Sequence, residues 1–150
     1  MPERDVERFT VGVFQDVAWA QKGLDALKQA GFPVESLSIF MKDGPDAAAF
    51  VERVLGAPSQ RVDLAGIGTA VVKGPLVATL GAAELPKLGL ARTMRRVGFQ
   101  PHDGRIFDAL TGRGGVLVAV LTEPRAADAL AILHSYGGGN AAIGAWTGRV

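Results

Sequence analysis

The sequence predicts one α/β domain made of two strand–helix–strand units with a long insertion between them. The first observation is an internal repeat, because residues 10–40 align with residues 116–146 at a constant offset of 106 and without a gap. The second observation is that both segments change from a strand period to a helical period and back. The chain has 150 residues, which is enough to bury one core. We therefore expect a single domain spanning residues 1–150.

The first unit begins with a strand and continues as an amphipathic helix. Residues 9–13 alternate between apolar and small or polar side chains, which is the period of a strand. Asp16 can accept hydrogen bonds from the first turn of a helix whose apolar stripe runs from Val17 to Leu27. Gly31 is expected to end that helix, and Leu37 to Met41 to form the second strand.

The second unit repeats this order of elements. Val116 to Leu121 are predicted to form a strand, and Thr122 is predicted to begin the next helix. Gly137-Gly138-Gly139 is expected to end the helix, and Ala141 to Trp146 to form the last strand.

Two such halves, about residues 8–42 and 115–147, fit a ferredoxin-like sandwich. This α/β arrangement has a four-stranded antiparallel sheet with both helices on one face, and the name describes a shape and implies no cluster. The insertion, about residues 44–114, is Gly-rich and helical and lies between the halves.

The insertion contains four segments with a readable pattern. Ala47 to Leu55 predict a short helix, and residues 64–83 predict a packed Gly-rich turn followed by a helix. Leu85 to Val97 predict a longer helix. Asp103 is expected to cap a last helix that ends at Gly112.

The apolar run at 64–83 is long enough to be weighed as a membrane span. Lys73 lies near its centre and Gly74-Pro75 breaks it, and both features are costly in an isolated span. The sequence therefore favours a packed segment over a membrane span, and a membrane is not an expected partner.

Composition excludes several kinds of chemistry. Apolar residues make up 48% of the chain and charged residues 21%, as in folded globular proteins. The chain has no cysteine, which excludes disulfides, a thiol nucleophile and thiolate metal or iron–sulfur sites. The charged N-terminus lacks the apolar region of a signal peptide, so we expect a cytoplasmic location.

The predicted strand at residues 116–121 is apolar on both of its faces. Helices of a ferredoxin-like sandwich cover only one face of the sheet, so either the insertion or a second subunit must cover the other. The strand from Leu37 to Met41 is placed at an edge and is also rich in apolar residues. We therefore predict a symmetric homo-oligomer that meets through the sheet. Its predicted interface residues are Leu37, Ile39, Phe40, Met41 and Trp146.

Three arginines of the insertion form the basis of a candidate ligand site. Arg92, Arg95 and Arg96 lie at i, i+3 and i+4 and share one surface of their predicted helix. Their guanidinium groups can grip a phosphate or a partner carboxylate, and a solvated helix face is the alternative interpretation. Lys73 and His102 complete the predicted site.

The sequence predicts no cofactor, no metal ion and no catalytic residue. Gly66-Ile67-Gly68 lacks the third glycine of a dinucleotide-binding motif and the Lys-Ser/Thr of a P-loop, so these glycines are expected to allow a close backbone approach. His102 and His134 fall in different elements without the spacing of metal ligands. Nucleic acid is not an expected partner, because the net charge is +1 and the arginine helix has no stacking aromatic.

Several segments resemble the bacterial general-stress-protein domain, a family of small heat- or low-temperature-induced proteins. The resemblance begins at Val11-Gly12-Val13-Phe14 and the helix end Leu27-Lys28-Gln29-Ala30-Gly31-Phe32. It continues through Gly66-Ile67-Gly68 and Gly74-Pro75-Leu76, then Val97-Gly98-Phe99 and Gly114-Gly115-Val116-Leu117-Val118. The resemblance implies a role in stress physiology, and it carries over no catalytic residues.

Three functions remain open from the sequence. The first is a non-enzymatic, homo-oligomeric stress-associated protein that acts by assembly or by binding a protein partner. The second is a small-ligand or anion-binding regulatory module that uses the basic insertion helix. The third is a small ferredoxin-like enzyme, which needs His102 or an acid inside a pocket.

Overall fold

Both strands and helices are present in a computed structural model that describes residues 7–81, 83–96, 99, 101–121, 126–135 and 142–146. The strands within these residues are β1 (Glu7–Phe14), β2 (Leu37–Lys42), β3 (Gln60–Leu64), β4 (Gly68–Lys73), β5 (Val116–Leu121) and β6 (Ala142–Trp146). The helices are α1 (Val17–Gln29), α2 (Ala47–Leu55), α3 (Pro75–Leu80), α4 (Leu85–Arg96), α5 (Pro101–Gly112) and α6 (Ala126–Ser135).

The strands form one antiparallel sheet in the order β3-β4-β2-β5-β1-β6. The α/β class and the antiparallel pairing agree with the sequence prediction, but the sheet is larger than the expected four strands because the insertion adds β3 and β4. The placement of β2 at an edge is wrong. Phe40 of β2 pairs with Leu117 of β5 on one side and with Val72 of β4 on the other. β2 is therefore an inner strand.

Helices cover both faces of the sheet. The helices of the two repeated units, α1 and α6, share one face as predicted, and helices of the insertion cover the other. One core lies between the sheet and α1, α2 and α6, and its members include Phe14, Leu24, Phe50, Val71, Val118 and Leu133. The other lies between the sheet and the insertion helices α3, α4 and α5, and its members include Phe9, Phe40, Leu76, Leu90, Phe107 and Leu117. Of the two predicted covers for the second face, the insertion is the one that the structure shows.

The internal repeat is present as an order of elements, with a change of register in the outer strands. At an offset of 106, Leu117 is the counterpart of Val11. The β1–β5 pairing agrees with this offset, because replacing each residue of a pair by its counterpart gives another pair of the same ladder. Val11 pairs with Ala142 of β6, whereas Leu117 pairs with Phe40 of β2. The outer strands therefore correspond at an offset of 142 − 40 = 102. The ungapped alignment holds for the central strands and is four residues out (106 − 102) in the outer strands.

The ends of α1 follow the sequence prediction. Asp16 accepts a hydrogen bond from the Trp19 backbone N–H at 2.9 Å. At the other end Gly31 has a φ of 98°, and its N–H donates to the Lys28 carbonyl at 3.0 Å. The Phe32 N–H donates to the Leu27 carbonyl at 3.1 Å, which completes a Schellman motif. The expected start and end of the second helix, Thr122 and Gly137-Gly138-Gly139, lie outside the described residues.

The predicted helices of the insertion are present, with differences within α4 and at the start of α5, and the Gly-rich part differs more. α2 has the predicted bounds, whereas α4 is interrupted at Gly89, whose φ is 82°. α5 begins at Pro101, so Asp103 lies inside its first turn and not at its cap. Residues 64–83 contain the end of β3, all of β4 and the six-residue helix α3. Within the described part of the chain, the helices fall short of the length and apolar character needed to cross a membrane.

Candidate functional site

The residues of the predicted ligand site lie in three elements of the insertion, β4, α4 and α5. Lys73 ends β4 and lines a cavity of about 390 Å³ together with Glu35, Leu55 and Gly74. None of the described residues that line this cavity belongs to α4. Arg92 and Arg95 are exposed on α4.

Two further residues of the predicted ligand site belong to the insertion helices. Arg96 is the last residue of α4, and His102 lies in the first turn of α5. The side chains of both lie outside the described residues.

Gly74, beside Lys73, allows the close backbone approach that the sequence predicts at Gly66 and Gly68. A Cβ at Gly74 would collide with the Leu37 carbonyl oxygen and the Ser38 hydroxyl, so this position needs close backbone approach. The Ser38 Oγ accepts a hydrogen bond from the Leu76 N–H at 3.0 Å and so ties α3 to β2. Gly66 and Gly68 have no neighbour within 4 Å of a Cβ, and they serve the turn through φ angles of 83° and 106°.

The predicted interface residues of β2 are covered inside the chain. Leu37, Ile39, Phe40 and Met41 are exposed by 1%, 0%, 0% and 8% respectively. Their side chains are divided between the two cores, and in this conformation they are not available to a partner. Trp146 ends β6, which lies at one edge of the sheet, and its side chain lies outside the described residues.

An open groove of about 510 Å³ lies between the starts of α1 and α2. Its floor is apolar and buried, and includes Met41, Ala47 and Phe50. Its walls are apolar and exposed, and include Val17, Pro45 and Ala49. The remaining lining residues are Lys42, Gly44, Asp46 and Arg53. We call this feature the α1–α2 groove.

Arg53 is held at the rim of the α1–α2 groove by neutral groups. Its guanidinium lies 5.5 Å from the centre of the Phe50 ring, within the range of a cation–π contact. It also donates a hydrogen bond to the Gln21 Oε1 at 3.2 Å, and the Gln21 amide donates to Asp25 at 3.0 Å. The guanidinium is thus oriented by an aromatic ring and an amide, and its positive charge is available to a ligand.

Two other charged residues line the same groove. The Lys42 ammonium donates to the Gly112 carbonyl at the end of α5, at 3.2 Å. Asp46 precedes α2 and makes no side-chain capping hydrogen bond. The Lys42 ammonium is therefore turned towards α5, and the charged groups at the rim of the groove are those of Arg53 and Asp46.

Two large apolar side chains are exposed in the part of the chain that the structure describes, and both belong to the first turn of α1. Val17 is exposed by 38% and Trp19 by 39%. Val17 lines the α1–α2 groove, whereas the Trp19 ring lies under the Lys22 ammonium at 4.6 Å. Sequence reasoning placed Val17 on the buried stripe of α1 and did not single out Arg53. The spacing of Phe50 and Arg53, i and i+3 on a predicted helix, was the available signal for the groove.

Three other charged residues, Lys28, Glu52 and Arg61, make hydrogen bonds or an ion pair within the chain. Glu52 accepts hydrogen bonds from the Ser59 backbone N–H and hydroxyl at 3.2 and 2.9 Å, and these bonds lower the pKa of the Glu52 carboxyl. Lys28 donates to the Val54 carbonyl near the C-terminus of α2, where a cation is favoured. Arg61 pairs with Asp43 at 3.0 Å. The described residues hold no cluster of three or more His, Asp or Glu side chains arranged to bind a metal ion.

Comparison with known proteins returned no match, whether to a family model, to a curated protein or to a solved structure. The resemblance to the general-stress-protein domain therefore stands on the quoted residues alone.

Proposed function

We propose that this protein binds a partner protein and is not an enzyme. The proposed ligand is an acidic peptide segment with an apolar face, bound in the α1–α2 groove. The observation that carries the proposal is the exposed apolar wall formed by Val17, Pro45 and Ala49 beside the unneutralised cation of Arg53.

The shape of the groove supports a peptide segment over a small molecule. Small-molecule sites enclose most of their ligand, whereas this groove is bounded by exposed side chains and opens along the surface. A segment with apolar residues on one side can lay them on Met41 and Phe50 while its backbone stays in water. The buried floor belongs to a packed core, so the surface is formed before binding.

Charge at the rim supports an acidic segment. Among the described residues Arg53 is not paired with a carboxylate, and its present partners are an amide and a ring. A carboxylate placed at Arg53 would gain charge-assisted hydrogen bonds without displacing an existing ion pair. Opposite charge across an interface also raises the association rate.

Several broader statements belong to the same proposal. The strands β6, β1, β5 and β2 lie side by side with α1 and α6 in one core, and this supports a ferredoxin-like unit extended by β4 and β3. We also propose membership of the general-stress-protein domain family, a role in stress physiology and a cytoplasmic location.

Fluorescence anisotropy with designed peptides tests the proposal. The probes are two labelled amphipathic helices that share a leucine stripe, one with a glutamate polar face and one with a lysine polar face. We expect the glutamate peptide to bind more tightly, and Arg53→Glu to weaken its binding by about tenfold, which is roughly 1.4 kcal/mol. Val17→Asp should abolish binding and leave α1 intact, because an acid is favoured in a first helical turn.

Arg95→Glu is the matched control, because it makes the same charge change on an exposed helix face away from the groove. It should leave the affinity for the glutamate peptide unchanged. Equal affinity for the two peptides, or an equal loss in Arg95→Glu and Arg53→Glu, would contradict a groove-specific site. A larger loss in Arg95→Glu would favour the anion-binding alternative at α4.

A further inference from the structure

β3 lies at one edge of the sheet, and its outward backbone groups can be assigned from the pairing on its other side. The Thr69 carbonyl of β4 accepts a hydrogen bond from the Asp43 N–H at 3.0 Å, so the polar backbone of Thr69 points towards β2. Thr69 is paired with Asp63 of β3. In an antiparallel ladder the backbone groups of Asp63 then point away from β4, and so do those of Arg61 two residues earlier.

The same two residues have side chains of opposite charge. Arg61 and Asp63 are exposed and stand on one face of β3, whereas Val62 and Leu64 point into the core beneath α4. The outward hydrogen-bonding groups of the edge and its two charges therefore belong to one pair of residues.

We propose that β3 pairs antiparallel with β3 of a second copy of this chain and so continues the sheet across a two-fold axis. With Val62 on the axis, Arg61 stands opposite Asp63 of the second copy, and Asp63 stands opposite its Arg61. Each of these opposed pairs exchanges both of its N–H···O bonds, because their backbone groups point outward. The charges are self-complementary in this register, which is the requirement of a symmetric interface.

The strand is held in place before any such pairing. Arg61 Nε donates to the Asp43 carboxylate at 3.0 Å, and the Thr69 hydroxyl donates to Asp63 at 3.0 Å, so both side chains lie along the face of the sheet. Ser59, just before β3, is fixed by Glu52. A second copy would add a carboxylate to the free side of Arg61 without breaking its bond to Asp43.

This interface is separate from the proposed peptide site. None of the residues that line the α1–α2 groove belongs to β3. A dimer through β3 would therefore present two grooves, and a partner with two acidic segments would bind it with added avidity. The proposal concerns assembly and stands without the proposed function.

Charge reversal at the two positions tests the pairing by analytical ultracentrifugation. Wild-type protein is expected to form a dimer as its concentration rises. Arg61→Asp alone and Asp63→Arg alone should each be monomeric, because each puts like charges opposite one another. The double variant Arg61→Asp/Asp63→Arg should dimerise again. An equimolar mixture of the two single variants should give a heterodimer, since one strand is then acidic and the other basic.

Each result either supports or overturns the pairing. Charges on an edge strand can also act to prevent pairing, and in that case the wild type stays monomeric up to about 1 mM, the level of a very weak complex. A dimer that persists unchanged in both single variants would place the interface elsewhere. Circular dichroism on each variant verifies that a monomer is folded.

Discussion

Two threonines in the helices of the insertion are buried to the same degree but differ in how their hydroxyl groups are satisfied. Thr93 in α4 donates to the carbonyls of Gly89 and Leu90 at 2.9 and 3.0 Å, at the point where Gly89 interrupts the helix. Thr111 in α5 is fully buried, and its Oγ1 has no hydrogen-bond partner. A buried hydroxyl without a partner costs about 1–3 kcal/mol.

Thr111→Val is expected to stabilise the protein, because it replaces this hydroxyl with a methyl group of similar shape. The expected gain in the free energy of unfolding is about 1 kcal/mol, measured by urea denaturation. Thr93→Val is the control at a satisfied hydroxyl, and it should reduce the free energy of unfolding by about the same amount. A change of the same sign in the free energy of unfolding of both variants would contradict the difference between the two hydroxyls.

Residue patterns predict local features well where one side chain acts on its neighbours in sequence. The sequence predicts Asp16 as a cap and Gly31 as a helix end, because both roles depend on the adjacent turn. The close approach at Gly74 could not be predicted in this way. Its contact is with Leu37 and Ser38, which are distant in sequence, and no local pattern contains that information.

At the scale of elements, α4 and α5 form the layer that closes the second face of the sheet. Gly104 of α5 lies against Ala91 of α4, and a Cβ at position 104 would stand 2.9 Å from the Ala91 carbonyl oxygen. Phe99 and Phe107 pack edge to face nearby, with ring centres 5.8 Å apart. The close approach of these helices therefore depends on the absence of a side chain at position 104.

Gly104→Ala is expected to destabilise the protein by about 1–3 kcal/mol, since the added methyl group meets backbone and the two helices must separate. Gly112→Ala in the same helix is the matched control, because its Cβ meets only Ile67 at an ordinary 3.6 Å. That control should be neutral or slightly stabilising through the gain in helix propensity. Thermal unfolding of the two variants measures the difference, and equal melting temperatures would contradict the tight contact.

The β3–β4 hairpin is the element that sequence reasoning missed. Gly66 and Gly68 and the apolar run after them favoured a turn followed by a helix. The alternation of exposed Arg61 and Asp63 with buried Val62 and Leu64 was present but short. The pairing of β4 with β2 decides between a hairpin and a turn followed by a helix, and that contact joins segments distant in sequence.

In the whole molecule, the β3–β4 hairpin makes β2 an inner strand of the sheet. The apolar character of both faces of β5 correctly predicted that the second face is covered, but the sequence left open whether the insertion or a subunit covers it. The insertion supplies both α3–α5 over that face and a hairpin beside β2. The interaction surfaces that we propose are therefore the α1–α2 groove and the edge of β3.

Native-state hydrogen exchange tests this arrangement most directly, because the rate at an amide reports whether its strand is inner or at an edge. In dilute protein we expect the amides of Ile39 and Phe40 in β2 to exchange as slowly as that of Val118 in β5. The outward amides of Arg61 and Asp63 in β3 should exchange much faster. Exchange at Ile39 and Phe40 as fast as at Arg61 and Asp63 would contradict an inner β2 covered on both faces.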